Sequence, residues 1–304
     1  MERETRKKLQ ALEELLDTWK SVAVGYSGGV DSTFLAAVCA RAVPSRAVLM
    51  HIETAFSATP ELVSVERAAE SGQSAFGLPL IAVPLDPFSL ENVVRNDENR
   101  CYYCKRAGFS AILAEARARG IEVVVDGSNA DDAGDYRPGM RALEELGVRS
   151  PLLETGWRKD EERALLREWG IPVWDMPAGA CLATRIPCGE PLTEQKLAAV
   201  RACEDYLHEH GLHQVRARLI EGSLQVEVSS EDLRVLASAG DPADASSGSS
   251  APHEKGTWHG EGTPSEEGAR HVALPEEMRA HLAGCVDGEV NPYVVLYSKG
   301  SMNR

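Results

Sequence analysis

The stretch Val22-Ala-Val-Gly-Tyr-Ser27-Gly28-Gly29-Val30-Asp31-Ser32 constrains the fold of this chain most. Val22 to Tyr26 reads as a buried strand, and Ser32 to Arg41 as the helix that follows it. Between them, Gly28 and Gly29 carry no Cβ, so backbone N–H groups can close on an anion. The helix N-terminus adds its partial positive charge. This phosphate cradle lacks the lysine of the pattern G-x-x-x-x-G-K-[ST], which makes γ-phosphoryl transfer the less favoured chemistry. A loop that grips the β,γ end through its backbone instead holds pyrophosphate as a leaving group and exposes the α-phosphorus to attack. The same residues also suit an ordinary strand-to-helix turn capped by Ser or Asp.

The flanking pattern repeats the strand–helix alternation. Leu9, Leu12, Leu15, Leu16 and Trp19 recur at helical spacing over about 4–20. Strands are expected at Arg46 to Glu53, Leu80 to Leu85 and Ile121 to Val125, with helices at Pro60 to Phe76 and Tyr102 to Arg119 between them. That order predicts a doubly wound α/β fold, a parallel sheet covered on both faces. Ligands bind such sheets beyond the carboxyl ends of the strands, where Ser27, Thr54 and Gly127 should converge. A smaller α+β domain is expected from 187 to 304 after an ATP-binding domain over 1–186. It begins with a helix capped by Thr193 and ended by Gly211. Strands at His213 to Ile220 and Leu224 to Ser229 follow, then a helix at Pro275 to Ala283 and a strand at Tyr293 to Ser298. Residues 238–268 are rich in Gly, Ser, Pro and acids and read as a disordered insertion.

Asp and Glu outnumber Lys and Arg by 47 to 32, a formal net charge of −15. That argues against a general nucleic-acid binder, whose affinity comes from neutralised phosphates, and favours a small-molecule substrate. No apolar run is long enough to span a membrane, and the charged N-terminus has no apolar stretch behind it like that of a signal peptide. A cytoplasmic homo-oligomer is expected. Seven cysteines in that setting are thiols, metal ligands or catalysts rather than disulfide staples.

Asp126-Gly-Ser-Asn-Ala-Asp-Asp-Ala-Gly-Asp-Tyr-Arg137-Pro-Gly139 is too polar and turn-rich to be packing, although a surface loop with Asx-turns would look similar. Gly127, Asn129 and Arg137 join Ser27, Gly28, Gly29, Asp31 and Ser32 as ATP-binding candidates. S-G-G-V-D-S resembles the PP-loop of ATP pyrophosphatases, which adenylate a substrate and release pyrophosphate. Together with D-G-S-N-A-D-D-A-G-D-Y-R-P-G and the later P-A-G-A-C-L-A-T-R-I-P, it resembles the LarE family. Those proteins are ATP-dependent sulfur transferases that make the nickel-pincer nucleotide cofactor of lactate racemase. The resemblance covers nearly the whole chain except 238–268.

Cys181 is the first candidate for chemistry. It lies in a turn-like stretch with Pro177, Gly179, Arg185 and Pro187, and Arg185 is expected to lower the pKa of its thiol. A thiolate suits attack on an acyl-adenylate, giving a thioester with loss of AMP. The resemblance implies that the carboxylate belongs to pyridinium-3,5-biscarboxylic acid mononucleotide, with ATP and Mg²⁺ as co-reactants.

Cys101 and Cys104, in Asn-Arg-Cys-Tyr-Tyr-Cys-Lys, start a helix, which favours their anionic forms. A thioredoxin-like redox pair and a zinc half-site compete for this C-x-x-C. With Cys181, the two could hold a four-iron four-sulfur cluster and leave one iron open. Two LarE-type routes follow: Cys181 surrenders its own sulfur, or a cluster on Cys101, Cys104 and Cys181 supplies it. The C-x-x-C favours the second.

Cys39, Cys203 and Cys285 lie on apolar helix stripes and are expected in cores. Cys188 stands where the family has an aromatic residue and is expected to be a small filler, with an extra ligand or sulfur relay as its other reading. Arg216 and Arg218, two apart on a strand, project from one face. The resemblance assigns them, with Arg185, to the substrate. Rival functions are another adenylating PP-loop enzyme, for tRNA thiolation or amidation, and a nucleotide-binding regulator without turnover.

Overall fold

The computed structural model describes residues 3–70, 76–132, 138–177, 179–239 and 271–297. Arg137, residues 240–268 of the expected insertion and the chain beyond Tyr297 lie outside them. The chain divides into two compact units at Ala198/Ala199 rather than at 187, because the segment after Pro187 is bonded back to the first unit. Gly189 N donates to Asn96 O at 2.8 Å and Leu192 N to Val94 O at 2.9 Å.

The first unit runs α1 (Arg3–Asp17), β1 (Val22–Gly25), α2 (Val30–Ala42), β2 (Ala47–Glu53), α3 (Thr59–Glu70) and β3 (Leu80–Pro84). It continues through a short α4 (Glu91–Val94), α5 (Arg100–Ala118), β4 (Val123–Val125), α6 (Pro138–Leu146), a short α7 (Pro151–Glu154) and α8 (Lys159–Glu168). The four strands form a parallel sheet in the order β3-β2-β1-β4, in the expected fold class. Val22, Ala23 and Val24 of the central β1 are all buried, as befits a strand covered on both faces. One apolar layer joins α1, α2 and α8, with Phe34, Leu12, Leu16, Trp157 and Leu165 at most 1% exposed. The other packs Phe109, Ile112 and Ala116 of α5 against Ala23, Met50 and Val124.

Helix α2 is buried from Val30 through Cys39, apart from Asp31 at its first turn. An apolar surface all round a helix that starts at the cradle fixes the cradle against the sheet. Cys39 is fully buried, as its stripe predicts, and burial pushes its thiol up to about 12.

Helix α9 (Glu194–Glu209) crosses the division between the units. Its start is capped as expected, Thr193 Oγ1 accepting from Lys196 N at 3.1 Å. In the second unit, β5 (Val215–Ile220) and β6 (Ser223–Val228) form a hairpin. Its turn places Glu221 at φ 50° and Gly222 at φ 80°, the left-handed pair a two-residue hairpin needs. Helix α10 (Ser230–Ala239), β7 (His271–Ala273), α11 (Glu276–Cys285) and β8 (Tyr293–Leu296) complete a sheet ordered β5-β6-β8-β7. Neither α10 nor β7 is expected from the pattern. Ser229 marks α10, accepting from Asp232 N at 3.1 Å, and Asp232 turns its carboxylate onto the N–H groups of His213 and Gln214.

A cysteine-lined cavity at the phosphate loop

The loop after β1 is built as a cradle. Gly29 is the N-cap of α2 and has no side-chain cap, so the first-turn N–H groups keep their capacity for an anion. Ser32 Oγ, 3.1 Å from Ser27 Oγ, donates to Gly29 O at 3.2 Å and accepts from Ser27 N at the same distance. Two hydroxyls thus hold the turn closed from inside. Gly28 takes φ 81°, and a Cβ there would come within 2.5 Å of Glu61 O; no other residue fits. A Cβ on Gly127 would meet Ser32 N at 3.0 Å, so its missing side chain lets the β4 end pack against the start of α2, beside the cradle.

A cavity of about 350 Å³ opens beyond the strand ends, walled by Ser27, His51, Thr54, Glu61, Arg100, Lys105 and the thiols of Cys101, Cys104 and Cys181. The first two of these cysteines lie in the first turns of α5 and the third lies far along the chain, so tertiary folding alone unites them. Asp31, Ser32 and Asn129 stand outside its wall, Asp31 and Asn129 on the α8 side of the loop. There Asp31 binds Lys159 Nζ at 3.1 Å and Asn129 Nδ2 at 3.3 Å.

The Cys181 turn is fastened to both of its neighbours. Leu182 N donates to Phe56 O at 2.9 Å. Arg100 Nη1 donates to Ala183 O at 3.0 Å and to Asn96 Oδ1. Asn96, at φ 57° and fully buried, gives its amide to Pro187 O and Glu190 O at 2.8 Å each. These bonds tie the C-x-x-C helix to the Cys181 turn.

Electrostatics in the cavity differ from expectation. Arg185 is fully buried and turned into its own loop, donating to Ala180 O at 2.9 Å, Cys181 O at 3.3 Å and Thr184 Oγ1 at 2.9 Å. It shapes the turn around Cys181 and does not face the cavity as a substrate ligand. Burial raises the Cys181 thiol, and the strongest opposing cation is Arg100, ahead of Arg185. Burial likewise pushes Cys104 up to about 12, with Cys181 and Cys101 adding to the rise. Arg100 senses all three sulfurs and lies 3.6 Å from Cys101 Sγ. The sequence contains this arginine in its C-x-x-C motif, but only the fold shows that it serves Cys181 too.

Among the described residues, no three His, Cys, Asp or Glu side chains are close enough to share one metal ion. Three cysteines lining one cavity, each within the electrostatic reach of Arg100, are the type of donor an iron–sulfur cluster takes, one sulfur to each iron.

Other cysteines sort differently. Cys203 is buried as expected. Cys285 is only half-buried, its thiol donating to His281 O at 3.5 Å, and Cys188 is exposed and fills no core space. Arg216 and Arg218 lie in the second unit and are not a solvated face: they are 6% and 4% exposed. All of Val215–Arg218 is buried, and Glu204 of α9 accepts from Ala217 N at 2.9 Å. Arg218 pairs with Glu227 at 2.7 Å, and Arg216 lies over the Tyr297 ring at 5.5 Å.

No family model matches the chain. A pyridinium-3,5-bisthiocarboxylic acid mononucleotide synthase from Lactiplantibacillus plantarum is 32% identical over 223 residues, 73% of this chain and 79% of the relative. The chain belongs to the LarE family. An uncharacterised protein from Synechocystis sp. is 37% identical to it over 75% of this chain and 83% of its own length. A tRNA(Ile)-lysidine synthase from Polaromonas naphthalenivorans is 30% identical over 158 residues, about half of each chain. The two named relatives are enzymes. No helix among the described residues of this LarE protein is long and apolar enough to cross a membrane.

Proposed function

We propose that this LarE protein adenylates a carboxylate of pyridinium-3,5-biscarboxylic acid mononucleotide with ATP and Mg²⁺ and converts it to a thiocarboxylate. The observation that carries this reading is the single cavity that joins Ser27 of the phosphate loop to Cys101, Cys104 and Cys181. The name of the Lactiplantibacillus relative gives the product class, a thiocarboxylated pyridinium mononucleotide, and the dicarboxylate is the matching substrate.

In this account the cradle of Ser27, Gly28, Gly29 and the α2 N-terminus holds the β,γ end of ATP. The substrate carboxylate attacks the α-phosphorus, pyrophosphate leaves, and an acyl-adenylate faces the thiols. Sulfur then attacks the acyl carbon and AMP departs. A four-iron four-sulfur cluster on the three cysteines would, when bound, supply that sulfur as sulfide. Arg100 stabilises negative charge on the cavity sulfurs at every stage. Lys105, whose Nζ lies 3.4 Å from Asp126 Oδ2, adds a second cation to the wall.

Pyrophosphate release from ATP, measured anaerobically with and without the dicarboxylated nucleotide, tests the proposal. Release that requires the nucleotide and yields a thiocarboxylate supports it. ATP binding with no release under either condition overturns it in favour of a regulator.

A further inference from the structure

Behind the phosphate loop lies an acid that the proposed reaction does not use. Glu162 of α8 is fully buried. Its Oε1 accepts from Asn129 Nδ2 at 3.0 Å, and the same amide reaches Asp31 Oδ1 at 3.3 Å. Lys159, on the same helix, holds Asp31 Oδ2 at 3.1 Å. No donor among the described residues bonds Glu162 Oε2, and the carboxyl instead meets Asp31, which it can bond only if one of the two acids carries a proton. An ionised carboxylate with a bare, desolvated oxygen is costly; a carboxylic acid carries a proton there and becomes a donor. Of two acids that face each other, the one denied water keeps the proton. Asp31 retains 27% side-chain exposure, and Glu162 has none.

We propose that Glu162 is a positioning residue that stays protonated and lends its proton to Asp31, fixing the phosphate loop through the contacts of Asp31 with Asn129 and Lys159. The proposal rests on the reading that this loop grips ATP. A neutral Glu162 leaves the Asp31–Lys159 pair balanced in charge. An ionised one sets two carboxylates against one ammonium and pulls Asn129 and Lys159 away from the loop. The titratable groups facing Glu162 are Asp31 from α2 and Lys159 from its own helix. Burial and Asp31 favour the neutral acid, Lys159 opposes it, and the balance lifts Glu162 from 4.5 to about 9.

ATP affinity measured from pH 7 to 10 on the wild-type chain and Glu162→Gln tests this. Glutamine keeps the acceptor for Asn129 and a donor for Asp31 but cannot ionise. The wild type should lose about tenfold in affinity between pH 8 and 10, following its protonated fraction. The variant should lose much less. Equal pH profiles overturn the proposal. Infrared difference spectra between the two proteins at pH 7 give a readout independent of ATP: a protonated carboxylic acid band that the variant lacks. Without that band the proposal fails. If the band is present but the wild type binds no ATP, the reading of the loop as an ATP site fails, and the role in ATP positioning fails with it.

Discussion

Arg100→Met is expected to make Cys181 harder to ionise and the cavity thiols slower to react. Arg100 is the strongest cation opposing the burial that raises the Cys181 thiol. An opposite charge at contact range shifts an acid by about one to three pKa units. Removing it should therefore raise the pH midpoint for Cys181 alkylation by about one unit or more. Each unit lowers the thiolate population about tenfold at a given pH below the midpoint. The same change deletes the bonds to Ala183 O and Asn96 Oδ1, which can loosen the turn and expose the thiol. The midpoint, not the absolute rate, is consequently the quantity to follow, by peptide-resolved mass spectrometry after timed alkylation across pH. Arg100→Lys separates the two effects, since it keeps the charge and loses the planar fork. It should leave the midpoint close to wild type. A midpoint unchanged or lowered in Arg100→Met would refute the assignment of Arg100 as the cation that serves Cys181.

Arg218→Met should destabilise the second unit by about 1.5–3 kcal/mol, because it removes the guanidinium that holds the buried Glu227 carboxylate at 2.7 Å; chemical denaturation measures this, and the double variant with Glu227→Gln should recover part of the loss. Glu162→Gln should raise thermal stability by an amount that grows with pH. The native chain holds the Glu162 proton that the unfolded chain releases above 4.5, so wild-type stability falls by up to about 1.4 kcal/mol per pH unit until about pH 9. The two melting temperatures should converge near pH 4.5 and separate progressively above it. Gly28→Ala should abolish ATP binding: it adds strain of about 1 kcal/mol or more at φ 81° and drives a Cβ into Glu61 O. Calorimetric titration with ATP reads the loss directly.

The sheet was legible because its strands are short apolar runs ending in turn residues, and because Ser27 and Asp126 each follow such a run. The pairing of C-x-x-C with Cys181 was legible only as an expectation that strand ends share one crevice. What the pattern could not reveal is how side chains turn. Arg185 reads as a free cation beside a cysteine, yet its guanidinium finds three acceptors within its own loop. Arg216 and Arg218 alternate as a polar face should, yet both are buried, one over the Tyr297 ring and the other against Glu227. Lys159-Asp-Glu-Glu162 reads as the charged start of a helix, and one of those acids, Glu162, lies wholly inside. Helix α10 has its Ser-x-x-Asp start signal at Ser229, but its few apolar residues lead into a polar tract that masks the helical period.

Anaerobic alkylation of the wild-type chain, with and without ATP and the dicarboxylated nucleotide, tests the shared cavity most directly. The account predicts that the two ligands together protect Cys101, Cys104 and Cys181, while the exposed Cys188 reacts at the same rate throughout. Equal labelling of Cys181 in the presence and absence of both ligands, under conditions where ATP is shown to bind, would contradict it.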